Sequence, residues 1–191
     1  MLVTSNESGL ISQLLHDLKQ AFNLKEPVPA SLFLGIRITS TPSGVFLDQQ
    51  QYAQSILDAS GFSNCKPSPT PIALKPTITS TAPAPFGDAT FYLQITGSLQ
   101  YLTITRPDIA FAANQICQHM HDPQPHHFQA LKRLLRYIQG TLTFGIPLTK
   151  SSPNLSTYVD ADWASDPSDQ KSTTGFCTFL GSNLISWSVK K

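Results

Sequence analysis

Charge is scarce in this sequence. Its 191 residues hold 13 Lys and Arg against 12 Asp and Glu, a formal net charge of +1, so no chain-wide field draws it onto nucleic acid or an anionic membrane. Any such binding must come from a local patch. Cysteine is scarcer: Cys65, Cys117 and Cys177 lie far apart and cannot all pair, which suits a reducing compartment better than a disulfide-stapled secreted fold. No stretch approaches the roughly 18 apolar residues that cross a bilayer. Met1 to Glu7 lacks the basic segment and apolar core of a secretion signal. The expectation is a soluble chain of the cytoplasm or nucleus, with no membrane partner. No Gly-x-x-x-x-Gly-Lys loop, Gly-x-Ser-x-Gly elbow or His-Glu-x-x-His is present, which leaves nucleotide hydrolysis, esterase and zincin chemistry without support.

What is abundant is apolar: 40% hydrophobic residues can supply a core for one domain or two small ones. Ile11, Leu14, Leu15, Leu18 and Phe22 recur at helical spacing, predicting an amphipathic helix packed on one side. Leu32 to Ile38 and Val45 to Leu47, around Thr41-Pro42-Ser43-Gly44, read as two strands and a tight turn. A second helix is expected over Gln49 to Ser60, ended by Gly61. Six prolines among many Ser and Thr between Ser63 and Gly87 predict an extended linker. Beyond it, Tyr92, Ile95, Leu99 and Leu102 mark one helix, and Arg106-Pro107-Asp108 starts another that buries Ile109, Ala112, Ile116 and Met120. Asp122-Pro123 opens a further helix with Phe128, Leu131, Leu135 and Ile138 as its stripe and Gly140 as its stop. Strands follow over Leu155 to Asp160, Thr174 to Leu180 and Leu184 to Ser188, with Gly181-Ser182-Asn183 as a turn.

Three clusters could carry chemistry. Asp160, Asp162, Asp166 and Asp169 form the densest group of carboxylates, and oxygen ligands beside a strand end suit a hard cation such as magnesium. A calcium loop of the EF-hand type is excluded, because counting from Asp160 puts Ser165 at the glycine position and Lys171 at the bidentate acid. The plain alternative is a solvated acidic turn. Cys117, His119, His121, His126 and His127 invite zinc, but on a helix only Cys117 and His121 would share a face. Histidines decorating a helix end are the preferred reading. Lys132, Arg133 and Arg136 form a basic stripe with no acidic residue between Pro123 and Lys150. Phosphate contacts from it would be sequence-independent and salt-dependent, against the alternative of a solvated helix face.

Four segments together resemble the Pol polyprotein of copia-type long-terminal-repeat retrotransposons, at the end of its reverse transcriptase and the start of its ribonuclease H. They are Phe33-Leu-Gly-Ile36; Gly97-Ser-Leu-Gln-Tyr-Leu-Thr-Ile-Thr-Arg-Pro-Asp-Ile109; Ala130-Leu-Lys-Arg-Leu-Leu-Arg-Tyr-Ile-Gln-Gly-Thr141; and Tyr158-Val-Asp-Ala-Asp-Trp-Ala164 with Lys171-Ser-Thr-Thr-Gly175 and Ile185-Ser-Trp187. Their order and spacing match across nearly the whole chain. Three places depart from the family's pattern: Glu26-Pro27-Val28-Pro29 replaces a turn that usually contains glycine, Ser165 replaces a glycine, and Val189 sits where serine is common.

The resemblance implies four parts. Residues 1–62 would be the end of the polymerase palm, a primer-positioning hairpin and a helix; 63–88 the linker; 89–150 a helical thumb and connection; and 151–191 the opening strands of a ribonuclease H-like domain. The implied fold is α+β, ending in a truncated three-stranded sheet with Phe176, Phe179 and Trp187 short of packing partners. It further implies that Asp160 is the first ribonuclease H aspartate, with Asp162 as a lesser magnesium ligand, and that Lys132, Arg133 and Arg136 lie against an RNA/DNA hybrid. The polymerase's Tyr-x-Asp-Asp run is missing, and two-metal chemistry needs more carboxylates than Asp160 and Asp162. The expectation is an interior piece of a polyprotein that is inactive alone and binds no magnesium productively. Its partners would be hybrid nucleic acid or an intact reverse transcriptase.

Overall fold

The structure, a computed structural model, describes residues 3–25, 28–73, 89–163 and 170–191. Asp166, Asp169, Ser165, Glu26 and Pro27 lie outside them, as does the expected linker beyond Ala73. The architecture is α+β, with five α-helices and two antiparallel sheets among the described residues. None of these helices is long and apolar enough to cross a membrane.

Helix α1 spans Ser8–Ala21 where the apolar periodicity predicts it, yet none of its residues is buried. Leu14 is 44% and Phe22 62% exposed, which corrects the expectation of a packed helix. Periodicity specifies an apolar face but not what covers it.

The run from Leu32 to Ile38 is not one strand but a hairpin: β1 (Leu32–Phe33) pairs with β2 (Ile36–Thr41). Leu34 and Gly35 both adopt positive φ, +47° and +73°, the backbone of a two-residue turn whose twist suits the flanking strands. Strand β3 (Gly44–Asp48) continues the sheet, and β4 (Ile146–Thr149), not anticipated from the sequence, closes it in the order β1-β2-β3-β4. Pro147 argues against a strand, but it sits on an edge strand, where a missing N–H is tolerated.

Helices α2 (Gln50–Ser60), α3 (Ala89–Leu102), α4 (Ala110–Cys117, after a short turn of 3-10 helix over Pro107–Ile109) and α5 (Pro125–Gly140) surround one core. Leu57, Tyr92, Leu99, Ile109, Leu131 and Leu135 are fully enclosed there. Tyr92 donates its hydroxyl to the Ile116 carbonyl at 2.8 Å and meets Phe128 edge-on at 5.0 Å, so its one polar atom is satisfied inside the core. The predicted stripe of α5 is buried as expected.

At the corner between α3 and α4 Arg106 is buried, with only 2% exposure. Its Nε and Nη2 grip Asp108 at 2.8 Å each, and its Nη1 and Nη2 donate to the Thr141 carbonyl at 3.0 Å and hydroxyl at 2.7 Å. Tyr137 donates to the same Asp108 at 2.9 Å, and the Tyr137 and Phe144 rings lie beside the guanidinium. A buried charge is tolerable only when paired and hydrogen-bonded in this way.

Helix α5 begins at Pro125, three residues after Asp122, because His127 supplies the cap: its Nδ1 accepts the Gln124 N–H at 2.9 Å. His119 stacks on His127 with centroids 3.7 Å apart, and His126 lies 3.9 Å away. Burial, with the imidazoles of His119 and His126, pushes the His127 pKa down to about 4.

The second sheet, β5 (Leu155–Ala161), β6 (Thr174–Leu180) and β7 (Asn183–Lys190), is the expected three-stranded one. Trp187 is not stranded: its indole N–H donates to the Thr103 carbonyl at 3.0 Å, while Asn114 donates to the Val189 carbonyl at 3.1 Å. Phe179 is half-buried against Tyr158. Only Phe176 of the three is exposed. Asn183 joins the two sheets, its Oδ1 accepting the Thr149 N–H at 2.7 Å and its Nδ2 donating to the Thr149 carbonyl at 2.8 Å, a side chain standing in for a strand's backbone.

Two outcomes follow from this packing. Arg106→Ala should lower stability by about 3 kcal/mol in urea unfolding, and Arg106→Lys should recover less than half of that, because an ammonium cannot fork between Asp108 and Thr141. A lysine variant as stable as the parent would contradict the role given to the fork. The His127 pKa in the fold is below its unfolded value near 6.5, so the unfolded chain takes up the proton first as pH falls. The stability due to neutral His127 is complete above about pH 6.5 and drains away toward pH 4. His127→Gln can keep the cap without titrating, so the stability difference between parent and variant should change through that window and stay constant above it.

Candidate nucleic-acid interface and carboxylate site

Asp160 lies on exposed β5, opposite Gly175 of β6. In a strand pair, directly opposite residues share a face, so Asp160 stands on the same side as Tyr158, Cys177 and Trp187. A groove of about 280 Å³ is lined there by Tyr158, Asp160, Cys177 and Trp187 from the sheet and by Pro107 and Ala110 from the helical half. Asp162, just past the strand end, is occupied differently: its Oδ1 accepts the Thr173 N–H at 2.6 Å, and its own N–H donates to the Thr173 carbonyl at 3.1 Å. It ties the end of β5 to the start of β6.

A magnesium pair needs several oxygen ligands around one point. Among the described residues no three His, Cys, Asp or Glu side chains gather in a way that could hold a metal ion. Asp160 and Asp162, as placed, are too few by themselves to hold such a pair. The same holds for zinc at the histidines. Cys117 is buried, its thiol hydrogen-bonded to the Thr96 carbonyl and its pKa pushed up to about 11 by burial, and the rings of His119 and His127 lie face to face.

The basic stripe sits on the outer side of α5, opposite the core-facing Leu131, Leu134 and Leu135. Lys132, Arg133 and Arg136 are all half-buried. Two of them hold a neighbour the sequence did not suggest. Residues 66–70, at the start of the proline-rich stretch, run across the helix: Arg136 Nε donates to the Lys66 carbonyl at 2.7 Å, the Ser68 N–H to the Arg136 carbonyl at 3.1 Å, and Arg133 Nη2 to the Thr70 hydroxyl at 2.6 Å. Arg133 Nε is buried without a hydrogen-bond partner. The beginning of the stretch is thus a strap against α5.

Arg106 and Asn183 are the influential polar residues that sequence reasoning passed over. For Arg106 a signal existed, an aspartate two residues on in Arg106-Pro107-Asp108. For Asn183 there was none, because its partner Thr149 is 34 residues away.

Residues 1–74 match the family model described as reverse transcriptase (RNA-dependent DNA polymerase). The whole chain aligns at 45% identity with an uncharacterized mitochondrial protein of Arabidopsis thaliana, covering 80% of it. It also aligns over its full length, at 42% identity, with the retrovirus-related Pol polyproteins of transposons RE2 and RE1 of the same plant, spanning 13% of each. No solved structure matches. Full-length identity at this level, added to the reverse-transcriptase match at the front, places the chain in the copia-type retrotransposon Pol family.

Proposed function

We propose that this stretch of Pol is a non-catalytic, duplex-holding segment of a reverse transcriptase, followed by the opening strands of a ribonuclease H-like domain. The observation that carries this reading is a contrast between two surfaces. Lys132, Arg133 and Arg136 share the outer side of α5 within a span, 123–150, that contains no acidic residue. Asp160 and Asp162 belong to no metal-holding group among the described residues, and the 191 residues contain no Tyr-x-Asp-Asp run.

The division of labour follows from the charges. Arg133 and Arg136 each give a donor to the strap, yet the face keeps three cations and no anion, and such a face attracts phosphates through counterion release and reads no sequence. An RNA/DNA hybrid is recognised in the same way, by backbone and shape. Asp160, on the first strand of the second sheet, is the vestigial ribonuclease H aspartate of this reading. Magnesium, in an intact enzyme, would supply the charge that activates water and stabilises the leaving oxygen.

A second reading has its own observation. Leu155, Val159, Phe176, Leu180 and Ile185 are exposed on the three-stranded sheet, Val159 by 69%. Exposed apolar surface of this kind marks an interaction site, and an intact reverse transcriptase is the partner proposed for it.

Binding to a short fluorescent RNA/DNA hybrid tests the first reading. A dissociation constant in roughly the micromolar range is expected at low salt, with a log–log salt slope of about −2 to −3 for three phosphate contacts. Lys132→Gln should make that slope shallower by about one; an unchanged slope, or binding indifferent to salt, overturns the reading. No primer extension or hybrid cleavage is expected with magnesium present, and either activity would refute the non-catalytic assignment. For the second reading, co-purification with a full-length copy should be lost on Val159→Lys.

A further inference from the structure

We propose that Thr70 is a modification site: a phosphate acceptor for a proline-directed protein kinase, with Arg133 as the built-in receiver of the phosphate. The inference concerns the strap on α5 and stands whether or not that helix binds duplex.

Of the chain's four Ser/Thr-Pro pairs, two are adjacent, Ser68-Pro69 and Thr70-Pro71. In sequence they are equivalent; in the fold they are not. Ser68 is buried, its N–H committed to the Arg136 carbonyl and its hydroxyl to the Thr70 carbonyl at 3.1 Å. Thr70 is exposed, in a segment with no helix or strand, and the following proline favours the extended backbone that a kinase cleft requires. Its hydroxyl donates to the Ile72 carbonyl at 2.9 Å and accepts from Arg133 Nη2 at 2.6 Å.

Two donors of one guanidinium prepare this place for a phosphate. The guanidinium already points a donor at the oxygen that would carry it, and a second donor of the same fork, Nε, is buried with no partner. An unsatisfied buried donor costs free energy, and a forked pair of N–H groups is the geometry that phosphate oxygens match best. The strap is also seated closely enough to transmit the change. A Cβ on Gly140 would come 2.9 Å from Pro67 Cβ, so only glycine there lets the strap lie down.

In the transfer, the Thr70 hydroxyl oxygen attacks the γ-phosphorus of ATP as the bond to the β,γ-bridging oxygen breaks. The hydroxyl proton passes to a base of the kinase, ADP leaves, and Thr70 becomes a phosphate monoester. The hydrogen bond to Ile72 is lost, and charge-assisted bonds to Arg133 replace it. The expected result is a strap held more tightly on α5.

The test is to incubate the full chain with a proline-directed Ser/Thr kinase and ATP, locate the phosphate by peptide mass spectrometry, and measure amide hydrogen exchange over 66–72. Phosphate is expected at Thr70 and not at Ser68, with exchange slowed roughly tenfold and the slowing absent in Arg133→Gln. Arg133→Lys, which keeps the charge without the fork, should show an intermediate effect and serves if the glutamine variant does not fold. The proposal is overturned if the kinase modifies a free 66–73 peptide but not the chain, if Ser68 takes the phosphate, or if exchange is unchanged, quickened or slowed equally without Arg133.

Discussion

The buried guanidinium of Arg106 is the contact on which the helical half of the molecule depends. It lies where the chain turns from α3 into α4, and through Asp108 and Thr141 it ties that turn to the end of α5. Every helix of the core except α2 is thereby joined at one point. Two further features use the same corner. Thr103, at the exit of α3, accepts the indole N–H of Trp187, and Phe144 stacks beside Arg106 just before β4. Both sheets thus meet the helices close to one enclosed cation.

Helix α5 serves two masters because its two sides differ so completely. The inner side is a continuous apolar stripe, and the outer side carries three cations and no acid. With no carboxylate on the helix itself, two of those cations, Arg133 and Arg136, donate to a hydroxyl and a backbone carbonyl of the strap at 66–70. Proline-rich sequence supplies such acceptors readily, since it leaves carbonyls free of helix or strand pairing. The strap is thus a consequence of charge imbalance on a helix face as much as of its own sequence.

Among the described residues the second sheet is held on one side only. Trp187, Val189 and Asn183 reach the helices and β4, whereas Leu155, Val159 and Phe176 face outward. Strand β5 is exposed along its whole length, and an open apolar edge is the usual route to pairing with another chain. Asp162 limits the fraying of that edge by fastening it to Thr173.

By itself the sequence determined the helices, because their apolar residues recur with a period that only one conformation can bury, and most of the strands and turns, because Gly and Pro punctuate them. It also determined the family, since four motifs in the right order are far more specific than any one. What it could not settle were relations between distant residues: that α1 would bury nothing, that Ile146–Thr149 would complete a sheet begun a hundred residues earlier, that Arg106 would be enclosed, and that Arg133 and Arg136 would hold the strap. A side chain's identity states which bonds it can make. Which partner it meets depends on where the rest of the chain has been brought, and only the tertiary structure decides that.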